Sequence, residues 1–405
     1  MRIVYTPNPT GSGHNMRTLA IAQQVHRNHP GIDQVVLLGS MQETFSALFT
    51  NAGVDVIDLD PSRNVDTSRT SHLTRELNWA GMVAGYLVPA FLNGERMLRY
   101  LAAYQQLGAA LVVSDYNPNA SLAAALGGVR HALVTERFNF SLVNVSDTDL
   151  ARGGGAVDEK DLADARTALN QVFTFITGSS VLVLTDKPVL PNNPADDEFR
   201  ELLANGKAYF TGPMIRALPE PAPGRDPRAE LGLGSGPLLV ATVGGTTMRM
   251  ENKRGLVDAY LDAHALLRRD RPDLELVLIG RGESAARPGV HNFTYLPEWM
   301  PLIRSASALL VPPGWISVTE ICAMGIPAVF TLSSYDEYHE IEPIHRLADL
   351  GFVTNIGTDP EVLAKLTAPL LDDPAAVMEL RERYRVVAPH ADGARRAAEL
   401  LAGVL

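Results

Sequence analysis

Apolar runs of strand length alternate along this chain with amphipathic segments of helical length. In the first half the predicted strands are 2–6, 34–38, 54–59, 109–114 and 130–135, and the predicted helices are 16–28, 43–51, 71–107 and 121–126. Such alternation is typical of βαβ units. It predicts a parallel sheet with helices on both of its faces.

A proline- and glycine-rich stretch, 211–237, interrupts this rhythm and can sustain neither a long helix nor a central strand. The pattern then restarts with strands predicted at 238–243, 274–279 and 308–311 and a helix at 255–268. We therefore predict an α/β protein with two Rossmann-like, doubly wound parallel-sheet domains that face a ligand cleft. The predicted parts are an N-terminal domain 1–212, a linker 213–236, a C-terminal domain 237–385, and a C-terminal helix 386–405 that could pack back on the N-terminal domain.

Composition excludes several classes of protein. The formal charge is -11 without long runs of like charge, so we expect no nucleic-acid partner. The single cysteine, Cys322, excludes an intramolecular disulfide and a multi-cysteine zinc site, which favours a reducing compartment. The apolar stretch 79–92 is shorter than the roughly 20 residues that span a bilayer. We expect a cytoplasmic protein with no transmembrane segment and leave peripheral contact at the inner membrane face open.

A glycine-containing turn follows the first predicted strand and leads into a helix. It reads Pro9-Thr-Gly-Ser-Gly-His14-Asn-Met-Arg. Parallel sheets bind ligands at the carboxyl ends of their strands, so the turn is a candidate ligand site, with Gly11, Ser12, Gly13 and Asn15 as the candidate contacts. Imidazole side chains commonly serve as general bases, so His14 could take this role; helix capping is the alternative interpretation.

Two loops of the second half suit a diphosphate. One follows the strand 238–243 and offers the amides of Gly244, Gly245 and Thr246. The other lies in the segment 309–330, which predicts a strand, a glycine turn at Gly314, a short helix and a further strand. The first amides of that helix, those of Trp315, Ile316 and Ser317, and its dipole favour an anion. Glu320 lies one turn further on and could accept both ribose hydroxyls; a solvated or capping glutamate is the alternative.

These motifs together resemble the GT-B nucleotide-sugar glycosyltransferases, most closely the peptidoglycan N-acetylglucosaminyltransferase group, with natural-product glycosyltransferases next. The resemblance covers both domains and rests on Gly-Ser-Gly-His14, on the helix from Gly314 to Glu320 and on Gly325-Ile-Pro327. It implies that Glu320 binds the ribose, that Arg216 of the Gly212-Pro-Met-Ile-Arg element meets the diphosphate, and that backbone near Leu296 holds the base. It implies that the domain 1–212 binds the acceptor, with Gly11, Ser12, Gly13 and Asn15 as acceptor-binding candidates, and that the domain 237–385 binds the nucleotide sugar. The co-substrate is then a UDP- or TDP-type sugar, and no cofactor is expected.

The predicted sugar site departs from the family pattern. Where relatives carry an Asp-Gln or Gln-Gln pair, this chain has Asp336-Glu-Tyr-His-Glu340, so Asp336, Glu337 and Glu340 are the candidates for the sugar. Pro313 replaces the family's second glycine before the donor helix, and Trp315 replaces a small residue. The sugar and the acceptor, small-molecule or lipid-linked, are not readable from these residues.

No metal site is predicted. Asp58-Leu-Asp60 has the Asp-x-Asp form of GT-A metal sites but ends a strand in a chain without other GT-A features. His339, Glu340, Glu342 and His345 match no familiar zinc spacing.

The resulting hypothesis is a metal-independent inverting glycosyltransferase. The resemblance favours inversion, because retaining GT-B enzymes usually carry a second glutamate eight positions before the first, where this chain has Pro312. His14 would be the general base, and either Asp115 or Glu136, each ending a predicted strand, would orient it. The alternatives are a nucleotide-sugar 2-epimerase of the same fold and a catalytically inactive nucleotide-sugar-binding subunit.

Overall fold

A computed structural model of the chain describes residues 1–9, 12–39, 42–59, 92–140, 144–153, 159–216, 226–244, 250–280, 287–294, 296 and 299–405. Most of the apolar stretch 79–92 and of the predicted helix 71–107 lies outside these residues. A helix runs over Gly94–Leu107 and begins after its N-cap Asn93, so the predicted helix 71–107 is not one continuous helix. Within the described residues, no helix is both long and apolar enough to cross a membrane.

The first sheet has seven parallel strands. They are β1 (Arg2–Pro7), β2 (Asp33–Leu38), β3 (Asp55–Asp58), β4 (Leu111–Asp115), β5 (His131–Val134), β6 (Leu182–Thr185) and β7 (Ala208–Phe210), in the order β3-β2-β1-β4-β5-β6-β7. Almost every residue of β1, β4, β5 and β6 is buried, as expected for a parallel sheet that is covered on both faces. In the register of β1 against β4, Pro7 lies opposite Asp115.

Helices connect these strands. They are α1 (Ser12–Asn28), α2 (Gln42–Asn51), α3 (Gly94–Leu107), α4 (Pro118–Leu126), α5 (Asp147–Arg152), α6 (Glu159–Ser179) and α7 (Asp197–Ala204), with a 3-10 turn at Pro194–Asp196. Local sequence sets several of their ends. The side chain of Asn117 accepts a hydrogen bond from the Ala120 amide at the start of α4, and Pro118 occupies the first helical position. Gly108 ends α3 in the left-handed conformation at φ 59°.

The second sheet has six parallel strands. They are β8 (Leu238–Thr242), β9 (Glu275–Ile279), β10 (Val290–Phe293), β11 (Ala308–Val311), β12 (Ala328–Leu332) and β13 (Thr354–Ile356), in the order β10-β9-β8-β11-β12-β13. Its helices are α8 (Pro227–Glu230), α9 (Met250–Leu267), α10 (Trp299–Arg304), α11 (Trp315–Met324), α12 (Tyr338–Asp349), α13 (Pro360–Asp372) and α14 (Pro374–Tyr384). Two doubly wound parallel sheets confirm the predicted fold class.

The chain divides into two compact units that are not contiguous in sequence. The first unit comprises Met1–Asp147, Gly155–Arg216 and His390–Leu405, and the second comprises Thr148–Gly154 and Ala217–Pro389. A last helix, α15 (Gly393–Gly403), belongs to the first unit, where Ala397, Ala398 and Leu401 are fully buried in the same core as residues of α1. The segment 148–153 therefore joins the second unit although it precedes much of the first in sequence.

Candidate active site

Each sheet has one position where the order of its strands reverses. In the first sheet the chain moves outward from β1 to β3 and then returns to β4 on the other side of β1. Open parallel sheets bind ligands outside the carboxyl ends of the strands at such a position. Asp115 ends β4, and His14 lies in the first turn of α1, directly after β1. The sheet topology thus brings two sequence-predicted residues to the same point.

His14 is held through one of its two ring nitrogens. Its Nδ1 lies 2.8 Å from Oδ1 of Asp115, and Nη2 of Arg17 lies 3.3 Å from the same nitrogen. The shorter contact assigns the tautomer of the neutral ring. Because a carboxylate can only accept, Nδ1 carries the hydrogen and donates to Asp115, and Nε2 carries the lone pair. The nearest Glu136 oxygen lies 3.7 Å from Nε2. The His14 side chain is 15% exposed, so the imidazole remains accessible.

A buried arginine organises the carboxylates around His14. The guanidinium of Arg17 is completely buried and bonds to Asp115 with Nε at 2.8 Å and Nη2 at 2.5 Å. It also donates to Glu136 and, at 3.3 Å, to Asp186. Arg17 comes from α1, and the three carboxylates follow or end β4, β5 and β6. One cation is therefore shared by three neighbouring strand ends.

The pKa values of Asp186 and Glu136 shift in opposite directions in this environment. Burial raises the pKa of Asp186 to about 6, because the attraction of Arg17 is outweighed by desolvation and by repulsion from Glu136 and Asp115. Burial would also raise the pKa of Glu136, but attraction to Arg17, His14 and Arg137 lowers it on balance. The cluster thus holds one firmly ionised carboxylate and one carboxyl group that titrates near neutral pH.

Tyr116, the residue after Asp115, has a strained backbone. Its φ of 42° lies in the left-handed region, which residues with a side chain seldom adopt. The amide of Tyr116 donates to the Val134 carbonyl, and its ring lies roughly parallel to that of His14 with centroids 6.2 Å apart. Strain of this kind concentrates at functional sites, where the surrounding contacts maintain it.

Ligand atoms of His14, Asp115 and Glu136 lie within 4.8 Å of one another, the separation expected around a metal ion. Arg17, however, already bonds to both carboxylates and supplies a positive charge at this point. Of the alternative Asp-x-Asp pair, Asp58 ends β3 and residue 60 lies outside the described part of the chain. His14, Asp115 and Glu136 form the one such group that the described residues contain.

The predicted acceptor residues surround His14 at the start of α1. Ser12 is exposed, Gly13 is half-buried and Asn15 is buried, while Gly11 lies outside the described residues. Ser12 is therefore accessible at this helix terminus, and Gly13 is partly so.

The second sheet reverses its strand order between β8 and β11. Helix α11 begins there, with Gly314 as its N-cap and Trp315 as its first residue. No side chain caps this terminus, and a Cβ built on Gly314 would meet nothing within 4 Å. The amide groups of Trp315, Ile316 and Ser317 therefore open α11, as the sequence predicts. Glu320 lies on the same helix and is buried.

A buried lysine lies beside this terminus. Nζ of Lys253, on α9, donates to the carbonyl of Gly244 at 3.2 Å. Gly244 has a φ of 72°, and a Cβ built on it would lie 3.3 Å from the ring of Pro312, just before α11. The Lys253 ammonium, the end of β8 and the start of α11 are thus neighbours.

The other predicted nucleotide residues are placed as follows. Gly245 and Thr246 lie outside the described residues, and Leu296 is half-buried between residues that also lie outside them. Arg216 is the last residue of the Gly155–Arg216 part of the first unit and is half-buried. Its Nε is buried with no hydrogen-bond partner among the described residues.

The acidic segment 336–340 lies at the start of α12 in the second unit. Asp336 and Glu337 are buried, and the side-chain amide of Asn252 donates to both carboxylates at 2.8 Å. Glu340 is half-buried, with Oε1 3.8 Å from Nε2 of His339. The predicted sugar-site residues are therefore close together in the folded chain.

Sequence reasoning missed Arg17, Asp186, Asn252 and Lys253. A signal existed for Asp186, since it follows β6 as Asp115 ends β4. Arg17 lies three residues after His14 and therefore on the same face of the helix, which was a weaker signal.

Proteins similar to this chain were found by structure alone. No protein-family model and no curated protein matches the sequence. The calicheamicin glycosyltransferase CalG4 superposes with a TM-score of 0.67 at 18% identity, over 100% of this chain and 98% of that chain. UGT2 of Phytolacca americana, solved with UDP-2-fluoro-glucose and pterostilbene, gives 0.67 at 14% identity over 99% of both chains.

A third solved structure belongs to a protein proposed to be a UDP-N-acetylglucosamine 2-epimerase, from Listeria monocytogenes. It gives a TM-score of 0.65 at 14% identity, over 100% of this chain and 95% of that chain. Likeness at this level of identity establishes the fold. The chain therefore has the GT-B fold, with the two doubly wound sheets that these glycosyltransferases and this epimerase-like protein share.

Proposed function

We propose that the protein is an inverting glycosyltransferase that moves a sugar from a nucleoside-diphosphate sugar to an acceptor hydroxyl. The observation that supports this most is the pair His14 and Asp115 at the reversal point of the first sheet. In this proposal the first unit supplies the base and binds the acceptor, and the second unit binds the donor. The co-substrate is a UDP- or TDP-type sugar, and no cofactor or metal takes part.

His14 is the proposed general base. Its Nε2 removes the acceptor proton while the acceptor oxygen forms a bond to the anomeric carbon, and the bond from that carbon to the diphosphate oxygen breaks on the opposite face. Asp115 accepts the Nδ1 hydrogen, keeps the lone pair on Nε2 and stabilises the imidazolium that forms. The 2.8 Å contact between them supports this assignment over Glu136, whose nearest oxygen is 3.7 Å from Nε2.

The departing diphosphate gains negative charge that must be stabilised. The first amides of α11 and the ammonium of Lys253 are suited to this role in the second unit, and Arg216 remains the candidate that the family resemblance implies. Glu320 is proposed to bind the ribose hydroxyls. Charge-assisted hydrogen bonds of this type contribute about 1.5–3 kcal/mol, so Glu320→Ala is expected to weaken UDP binding roughly 10- to 100-fold in calorimetry.

A nucleotide-sugar 2-epimerase is the second candidate function. It is supported by the likeness to the epimerase-like structure and by the acid–base groups around His14, namely Asp115, Glu136 and Asp186. Such an enzyme would need no acceptor. It would return an isomer of its nucleotide sugar, or release the nucleotide and an altered sugar.

One assay separates these possibilities. UDP- and TDP-sugars are incubated with the protein, with and without a panel of phenolic, alcoholic and lipid-linked acceptors, and nucleotide and sugar products are followed by chromatography and NMR. Acceptor-dependent nucleotide release with inverted anomeric configuration is expected. Retained configuration would refute inversion, and acceptor-independent conversion of the sugar would favour the epimerase. Nucleotide-sugar binding without any turnover would indicate the inactive binding subunit.

A further inference from the structure

The 148–153 segment, taken from the first half of the sequence, packs in the second unit against residues 335–345. We propose that this segment positions the acidic segment 336–340 and so determines how the protein holds the sugar of its nucleotide sugar. The inference rests on the proposed function. Residues 148–153 act as a positioning element and do not themselves touch the ligand.

Gly153 makes the tightest of these contacts. A Cβ built on Gly153 would lie 2.9 Å from the carbonyl oxygen of Tyr335 and 2.8 Å from the ring of Tyr338. The Tyr335 carbonyl belongs to the peptide group that leads into Asp336, so it cannot move away as a flexible side chain would. The absence of a side chain at Gly153 therefore fixes where the acidic segment begins.

Two further contacts hold the segment against the same residues. The guanidinium of Arg152 lies 5.1 Å from the centre of the Tyr335 ring, and its Nη1 donates to the Tyr335 hydroxyl at 3.2 Å. The hydroxyl of Tyr338 donates to the Gly153 carbonyl at 3.4 Å.

A histidine–carboxylate contact ties the segment to the far end of the same region. Nε2 of His345 lies 3.2 Å from Oδ2 of Asp149, whose side chain is only 10% exposed. His345 lies on α12, the helix that begins within the acidic segment. The contacts of 148–153 therefore fall before the acidic segment at Tyr335, within it at Tyr338 and after it at His345.

Asn252 fixes the acidic segment from another side. Its amide nitrogen has two hydrogens and donates to both Asp336 and Glu337 at 2.8 Å, so one side chain links the two carboxylates. A shift of the Tyr335 peptide would lengthen these bonds and redirect both carboxylates. Displacements of about 1 Å at a binding group can change reactivity about 100-fold.

The test substitutes Gly153→Ala and compares binding of the bare nucleotide with binding of the nucleotide sugar. UDP, UDP-glucose, UDP-N-acetylglucosamine and dTDP-glucose are titrated calorimetrically into the wild type to select the sugar that binds. We expect Gly153→Ala to weaken that nucleotide sugar about tenfold and to change UDP affinity less than twofold. Gly255→Ala is the matched control, since its Cβ would meet only Thr358 at 3.8 Å.

A second pair of variants tests whether 148–153 positions the acidic segment, without adding atoms next to the backbone. Arg152→Ala is expected to shift nucleotide-sugar affinity in the same direction, and Arg152→Lys, which keeps a cation over the Tyr335 ring, to restore much of it. Thermal unfolding verifies that each variant is folded. Two results in a folded Gly153→Ala protein overturn this inference and leave the proposed function standing. One is an equal loss of affinity for UDP and for the nucleotide sugar, and the other is an unchanged affinity for a nucleotide sugar that the wild type binds. A wild type that binds no nucleotide sugar overturns the proposed function itself.

Discussion

Removing the negative charge of Asp186 should stabilise the protein at neutral pH, although Asp186 contacts a buried arginine. Its carboxyl group is fully buried, and the Nη1 contacts to Arg17 are long, at 3.3 and 3.4 Å. Glu136 and Asp115 already bond to the same guanidinium at shorter range. The third carboxylate therefore gains little attraction and suffers repulsion from the other two.

The size and pH range of the effect follow from the pKa of Asp186. Burial raises it from 3.8 to about 6, so the folded protein binds more protons than the unfolded chain between these values, and stability falls as the pH rises through them. The cost of ionisation is absent well below pH 3.8 and complete above pH 6. At about 1.36 kcal/mol per pH unit it reaches about 3 kcal/mol at pH 7.5 and about 1 kcal/mol at pH 4.5.

Asp186→Asn keeps the shape of the neutral acid and removes this cost. The measurement is urea unfolding at pH 4.5 and 7.5, with the first unit followed by hydrogen exchange in peptides from β4 and β6. Glu136→Gln is the matched control with the opposite sign, because Arg17 lowers the pKa of Glu136 and its ionised form stabilises the folded state. An Asp186→Asn protein that is less stable than the wild type at pH 7.5, or a difference that is equal at both pH values, would refute the argument.

Three other outcomes are expected. His14→Ala should lower the transfer rate about 10²–10⁴-fold and leave UDP affinity nearly intact, because the base and the nucleotide are assigned to different units; loss of UDP affinity with an unchanged maximal rate would make His14 a ligand contact. Lys253→Met should weaken UDP binding but not uridine binding, and Arg254→Ala, at the exposed neighbouring residue, is the control. Equal losses of affinity for both ligands would remove Lys253 from the diphosphate site. Turnover should survive EDTA, and silencing by EDTA that magnesium or manganese reverses would contradict a metal-independent reaction.

The sequence predicted what depends on short-range patterns. Strand and helix periods predicted the central strands of both sheets but not β6, β7, β10 or β13, and the positions of Asp115 and Glu136 at strand ends predicted that they lie near His14. Arg17 was not predicted, because an arginine on an amphipathic helix normally faces water and only the convergence of β4, β5 and β6 gives it three carboxylate partners. The membership of 148–153 in the second unit was also missed, since it depends on contacts with residues about 185 positions away in sequence.

The placement of α15 bears on how the protein is made. This helix completes the core of the first unit around Leu19, Ala22 and Val25, yet the ribosome synthesises it after the whole of 217–389. About 375 residues separate Val25 of α1 from Leu401, so at typical translation rates of about 5–20 residues per second the apolar face of α1 waits roughly 20–75 s for its partner. A nascent or prematurely terminated chain would carry an uncovered apolar surface during that interval, so the first unit needs either chaperone protection or temporary non-native contacts until Leu401 arrives.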